Sequence, residues 1–516
     1  MLSDLLTPLL EKDLDLGIIN ERLCLLEEYL KNDTTKLCPQ DRNLGLRLWN
    51  QCVQLPASLK HSSLGCRLRE ASYTIIQFTA KPSEDTLELA KFASKLGKLY
   101  SDCPTSQEDS SLNPSSIDAK CQHFYNTTLS LCERSFSPNT IEVFRTIFAA
   151  RIWYFDYHFK TKNFTEMNSL SRELNNLFQE QSSLDCSVER SYFTSMVYNS
   201  ASSLVQEGHY GICSELIDGS GAAADGSEPI RTAKVLRLLA ICHFNQNHLD
   251  QALTVVENSL SLEQSSTSLL LCAKILYRLE RTELAKESLF EFQSITNSNQ
   301  DTSAVDLALE FNDFDTAEKL LLSAIDRDST NSTSKAKLLN VYSLANKHQE
   351  AFLLLDSCSV LGSSDPVHTV VWKQISLALK NNQSVLAVEW IKRGLKILPE
   401  TDVAALCKLR RTLSRAYFDQ GELQEALSHV EYADHMEPNK PETLWLKVLI
   451  HHYLGEAVSA EQGIIQLKEI AINNVDDSQT AETLLAAISQ ELWKTRNSKI
   501  MNNESSSTSF TALCCF

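Results

Sequence analysis

Residues 408–438 read KLRRTLSRAYFDQGELQEALSHVEYADHMEP. Two helical patterns flank Gly421, and Ala426 stands five residues beyond it in the second. Glycine takes the left-handed conformation that ends a helix at little steric cost, and Pro438 stops the second helix where its pattern runs out. A small residue early in the second helix lets the two helices approach closely. Tyr417, Leu423 and Ala433 fall at spacings that suit the face between them.

The unit recurs on both sides. Ala252, Ala285, Ala317, Ala351, Ala387, Ala426 and Ala460 follow one another at steps of 33, 32, 34, 36, 39 and 34 residues. Four residues after each comes an aliphatic side chain: Val256, Leu289, Leu321, Leu355, Ile391, Val430 and Ile464. Five residues before come Asn247, Glu280, Asn312, Asn346, Asn382, Gly421 and Gly455, six of them Gly or Asn, which tolerate the left-handed turn. Seven residues after, Ser259, Ala324, Cys358, Gly394 and Ala433 are small. A helix–turn–helix unit of about 34 residues with these columns is the tetratricopeptide pattern. A short helix pair cannot bury its apolar stripe alone, so units stack and share a core. The expected fold is all-α, a tetratricopeptide-like helical-repeat solenoid wound into a superhelix.

The expected division is a degenerate helical region over 1–230, the repeat array over 231–472, a terminal helix over 473–495 and a disordered tail over 496–516. Within the first region, 9–30 reads as an amphipathic helix broken at Gly17, and 44–55 pairs with 65–80 as an antiparallel hairpin of helices. Residues 101–118 read as loop, and 140–159 and 190–208 as helices. Gly208, five residues before Cys213, marks one more degenerate unit, and GSGAAADGSEP (219–229) reads as a flexible insert.

A net charge of −18 argues against nonspecific nucleic-acid binding, which needs a basic face. No stretch has the length of a membrane-spanning helix, and the acidic N-terminus is unlike a signal peptide. Thirteen of the fifteen cysteines are scattered singly from Cys24 to Cys407, without C-x-x-C spacing, as in a reducing compartment. Cys514–Cys515 is not a prenylation box, since Leu513 stands where that box needs cysteine.

The search for chemistry finds no catalytic, cofactor-binding or metal-ligating set, and no small-molecule substrate is implied. Gly219, Gly221 and Ala224 lack the preceding strand that a dinucleotide fingerprint requires. His451 and His452 point about 100° apart on a helix, so one should pack between helices and the other face solvent. What remains is a groove lined by first helices. Its candidate partner-binding residues are Lys234, Arg237, Lys274, Asn340, Trp372, Lys408, Arg411, Arg415 and Trp445. The cations could meet an acidic or C-terminal peptide and the tryptophans could anchor it. In the other reading the tryptophans are core and the cations solvated. If Arg411 and Arg415 face the groove, reversing their charge should disturb folding little.

AKVLRLLA (233–240), LDQALTVVENSL (249–260) and SLLLCAKILYRLE (268–280) resemble the meiosis-specific tetratricopeptide scaffold family, the sporulation and zipping type of the crossover-promoting ZMM group, with testis-expressed members in animals. Leu48, Trp49 and Asn50, then Leu68, Arg69 and Ala71, resemble its opening helices, and 370–400 and 408–438 follow in the family's order. Its members commonly run longer, with further helical repeats. The resemblance implies a nuclear, chromosome-associated, non-enzymatic scaffold that promotes crossover formation and synaptonemal complex assembly in homologous recombination. Its partners would be meiotic crossover and chromosome-axis proteins, with no direct nucleic-acid or membrane contact and no cofactor. The alternative is a general tetratricopeptide adaptor, such as a chaperone cofactor reading acidic peptide tails.

Overall fold

The computed structural model describes residues 16–33, 37–55, 62–81, 85–103, 114–134, 140–181, 184–224, 228–296, 301–362, 364–473, 479–480 and 482–490, together with 2, 6 and 9. Among them every regular element is a helix. The chain forms two compact units, Met1–Ser288 and Leu289–Phe516.

The first unit opens with α1 (Leu16–Asp33), α2 (Asp41–Val53), α3 (Ser63–Thr79), α4 (Thr86–Ser101) and α5 (Pro114–Glu133). Helix α1 runs through Gly17, so no break occurs there. The expected pair forms: Arg69 on α3 donates to the Cys52 carbonyl at 2.8 Å and Ser72 to the Gly45 carbonyl at 2.7 Å, so the helices run antiparallel. Residues 114–118, expected as loop, are the first turn of α5, while 104–113 lie outside the described residues. The core here is aromatic. Phe124 packs against Tyr73 and Tyr100, and Trp153 closes on Gly97, where a Cβ would collide with the indole.

The unit continues with α6 (Ile141–Lys160), α7 (Phe164–Glu180), α8 (Ser187–Gln206), α9 (Tyr210–Ser220), α10 (Pro229–Asn245), α11 (Leu249–Leu262) and α12 (Ser266–Arg278), and ends within α13 (Thr282–Ile295). The insert expected at 219–229 is largely ordered helix. Gly219 and Ser220 finish α9, Gly221 caps it in the left-handed conformation, and Ala222–Ala224 form a 3-10 turn. Buried Ser220 hydrogen-bonds the Ile217 carbonyl at 2.8 Å, so this small-residue run is a cap and not a linker. The uncharacteristic length of α6 and α8, 20 residues each, is what blurs the period before residue 230.

One turn recurs through this unit. Residues Lys162, Gly208, Asn247 and Glu280 all have φ between 58° and 80°. In each case the next residue's N–H returns to the carbonyl five before it, as His248 does to His243 at 2.9 Å. The left-handed residue's own N–H reaches the carbonyl three back, as Asn247 does to Phe244 at 3.0 Å. These two bonds are a Schellman cap, which satisfies carbonyls that a helix end leaves open. Five residues on, the N–H of Met167, Cys213, Ala252 or Ala285 closes the first turn of the following helix, and all four side chains are fully buried.

The second unit holds α14 (Ser303–Glu310), α15 (Phe314–Arg327), α16 (Ser332–Leu344), α17 (His348–Asp356), α18 (Pro366–Lys380), α19 (Ser384–Ile397), α20 (Val403–Gln420), α21 (Leu423–Met436), α22 (Pro441–Leu454) and α23 (Ala457–Asn473). The same cap stands at Asn312, Asn346, Asn382, Gly421 and Gly455. Ala317, Ala351, Ala387, Ala426 and Ala460 are fully buried, and the aliphatic residue four beyond each is buried too. Asn331, Asp365 and Asp402 cap the N-termini of α16, α18 and α20 through their side chains. The small residue seven beyond the alanine lies against the first helix: a Cβ on Gly394 would meet Val371 at 3.2 Å. Residues 479–480 and 482–490 are helical, within the expected terminal helix, while the expected tail lies outside the described residues. The fold is thus all-α and built from tetratricopeptide-like helix pairs.

Candidate functional site

Three of the nine candidate residues belong to the first unit. Lys234 and Arg237 lie on α10, one turn apart, and Lys274 on α12. Lys234 is exposed, and no carboxylate among the described residues reaches it. Arg237 is held. Its Nη1 donates to Ser265 at 2.7 Å, also to Thr267, and lies 3.5 Å from Ser268, all at the start of the next repeat. Lys274 is half-buried.

Six belong to the second unit, and five of these gather in two neighbouring clusters. On α18, Trp372 is half-buried beneath Lys408 of α20, whose Nζ sits 4.7 Å from the ring centroid. Farther along α20, Arg415 stacks at 5.6 Å on both Phe418 and Trp445, the latter from α22, and pairs with Asp419 at 3.1 Å. Between the two clusters Arg411 pairs with Glu437 at 3.2 Å and donates to Thr443 at 3.3 Å. Asn340 on α16 is half-buried and is not among these contacts.

Both tryptophans therefore stand between the alternatives the sequence left. Each is half-buried with one face under a cation, Trp445 packs against the cluster around Leu444 and Val448, and its indole N–H is buried without a partner among the described residues. A cation over an indole is worth about 0.5–2 kcal/mol and leaves the ammonium free to take an anion on its other side. Lys408 keeps that freedom, since no described carboxylate reaches it, whereas Arg411 does not.

Arg411 corrects one expectation. Its side chain is four-fifths buried beside a similarly buried Glu437, so reversing its charge sets two carboxylates against each other inside the repeat contact. The same device serves Arg237, and the sequence carried a sign of it. Both arginines stand fifteen residues before their ladder alanine. In both cases a hydroxyl residue, Ser268 or Thr443, stands seventeen before the next one. Glu437 escaped the sequence reading because it becomes a neighbour of Arg411 only across helices, whereas Phe418, three residues beyond Arg415 on the same helix, was open to an i,i+3 reading that was not made.

Of the histidine pair, His451 is buried with Nδ1 2.7 Å from Glu456, and His452 is half-buried. Gly219 and Gly221 lie against Arg172 and Asn175, so the glycines close a helix end and frame no phosphate loop. Among the described residues no group of three or more His, Cys, Asp or Glu could hold a metal ion, and no helix is long and apolar enough to cross a membrane.

No family model matches the sequence, and no curated protein matches it. Among solved structures the chain is similar to the C-terminal part of a repeat-containing tetratricopeptide protein from Cytophaga hutchinsonii, at 14% identity over 48% of this chain and 98% of that one, TM-score 0.28. It is similar to a tetratricopeptide repeat protein from Parabacteroides merdae, at 13% identity over 57% and 97%, TM-score 0.24. Yeast Tom70 is similar at 12% identity over 90% and 99%, TM-score 0.23. The fold rests on the recurring cap and the buried alanines, and not on these overlaps.

Proposed function

We propose that this chain is a non-enzymatic adaptor of meiotic recombination. It would act in the nucleus, on chromosomes, promoting crossover formation and synaptonemal complex assembly through contacts with crossover and chromosome-axis proteins. The observation that carries the adaptor part is the set of first helices that present cations and half-exposed rings, Lys234 in one unit and Trp372, Lys408, Arg415 and Trp445 in the other. The meiotic part is supported by the family resemblance of the segments at 48–71, 233–280 and 370–438, which follow the family's order.

Chromosome association is then indirect, because a chain of net charge −18 has few cations to spare for phosphates. In a mobility-shift assay at physiological salt the purified protein leaves duplex DNA unretarded; tight retention would refute the adaptor mechanism. Transcript profiling and staining of spread meiotic nuclei test the setting. Expression confined to meiotic cells and prophase foci are expected, with fewer crossovers on deletion. Even expression across tissues would favour the general adaptor that reads acidic tails, a reading to which the unpaired ammonium of Lys408 also lends itself.

A further inference from the structure

Between α8 and α10 of the first unit lies a cleft of about 620 Å3. Its walls include Tyr198 and Asn199 from α8, with Glu228, Ile230, Arg231 and Lys234 at the start of α10. The charges there do not cancel. Arg231 is occupied by Glu228 at 3.0 Å and by the Ser191 carbonyl at 2.9 Å. Lys234 has no carboxylate among the described residues, and Asn199 beside it is exposed with its amide unengaged there. One turn on, Arg237 is held by the neutral hydroxyls of Ser265, Thr267 and Ser268.

Arg231, Lys234 and Arg237 are spaced three apart, so they form one ridge on α10 that meets a single carboxylate among the described residues. A ridge with two uncompensated cations on a strongly acidic chain attracts an acidic ligand, which most of this protein's own surface repels. Beside Lys234, Ile230 is 58% exposed, an apolar shelf at the cleft mouth.

Resting on the adaptor reading, the geometry points to this cleft as the seat of an acidic peptide segment of a protein partner. A carboxylate of the peptide meets the Lys234 ammonium and the Asn199 amide, a neighbouring apolar side chain lies on Ile230, and the next acidic residue reaches Arg237. The carboxylate can belong to a side chain or to a chain terminus, since the ammonium and amide recognise the same group in both.

The test uses the full chain and fluorescence anisotropy with two labelled ten-residue probes. One alternates leucine and glutamate and is amidated at its C-terminus. The other has glutamine for every glutamate and a free C-terminus. Binding of the first assigns a side-chain carboxylate, and of the second a terminal one. Lys234→Glu lowers the affinity of the bound probe at least about tenfold and Lys234→Met about fivefold. Lys373→Glu, at an exposed lysine on α18, leaves it unchanged. Lys234 is exposed, so unchanged melting of its variants shows that the loss is local. Wild-type binding by Lys234→Glu overturns the proposal, as does failure of both probes to bind. A probe lost with Arg415→Glu but retained by Lys234→Glu places binding in the second unit, which leaves the adaptor reading standing and removes this cleft from it.

Discussion

At the scale of single residues, the ladder alanines and the left-handed caps carry the most weight. Ala426 is fully buried and its carbonyl accepts a hydrogen bond from Ser414 at 2.7 Å, so a larger side chain must push α20 and α21 apart. Ala426→Phe should cost about 1–3 kcal/mol or more, against less than about 0.5 kcal/mol for Phe at exposed Gln424, as chemical denaturation would show. Equal losses would remove the register. Lys162 and Glu280 adopt φ near 60° at positions where the other caps have Gly or Asn. A Cβ in that conformation costs roughly 1 kcal/mol, so Lys162→Gly and Glu280→Gly should each raise stability by about that much. A fall in melting temperature for both would show that their side chains contribute more than the turn costs. The sequence made the alanines and the asparagines legible because their columns repeat. It concealed the turn at Lys162, where a lysine takes the left-handed position and Met167 stands for alanine.

At the scale of helices, the arginines of α10 and α20 act as links to the next repeat. Arg411→Glu should destabilise the second unit by about 1–2 kcal/mol, because it removes a largely buried pair and sets like charges together. Arg415→Glu should cost about half as much or less, since its partner Asp419 is one turn away on the same helix and well exposed. Urea titration of the two variants separates them, and equal midpoints would contradict the linking role. Partner capture should consequently be read with Arg415→Glu or Lys408→Glu, where lost binding is not confounded by lost folding. These helices were predictable from their period. That Arg411 would be engaged by Glu437 was not, because the two are brought together by the pairing of α20 with α21.

At the scale of the whole chain, buried and half-buried imidazoles make stability depend on pH. Burial holds His158, His243, His368 and His429 below the ordinary histidine value of 6.5, and Arg410 pushes His429 further the same way. In the unfolded chain these groups take up protons as pH falls through about 6.5, while the folded chain resists until lower pH. Stability is therefore full above about pH 7 and declines as pH falls from about 6.5 towards 5. Carboxylates held low by ion pairs, such as Asp85 beside Arg42 and Asp356 beside Lys396, add their loss only below about pH 4. Melting at pH 7.5 and 5.5 should show the decline, and His158→Leu should shrink it. A melting temperature independent of pH over that interval would mean that these imidazoles charge as readily in the folded chain.

The sequence by itself determined that the chain is all-α, where the pairs of helices turn, and which alanines lie between them. Those features are local: a left-handed cap, a 3.6-residue period and a small side chain repeat along the chain and need no partner to be recognised. Only the tertiary structure decided that 219–224 is a helix end, that Lys162 opens another pair, that Arg411 is spent on Glu437, that Arg237 is anchored to the following repeat by neutral hydroxyls which leave its charge uncompensated, and that Lys234 and Lys408 meet no described carboxylate. Whether a cation is free depends on which carboxylate or hydroxyl the folding of distant helices delivers within about 3 Å of it, and charge type along a sequence carries no such distance.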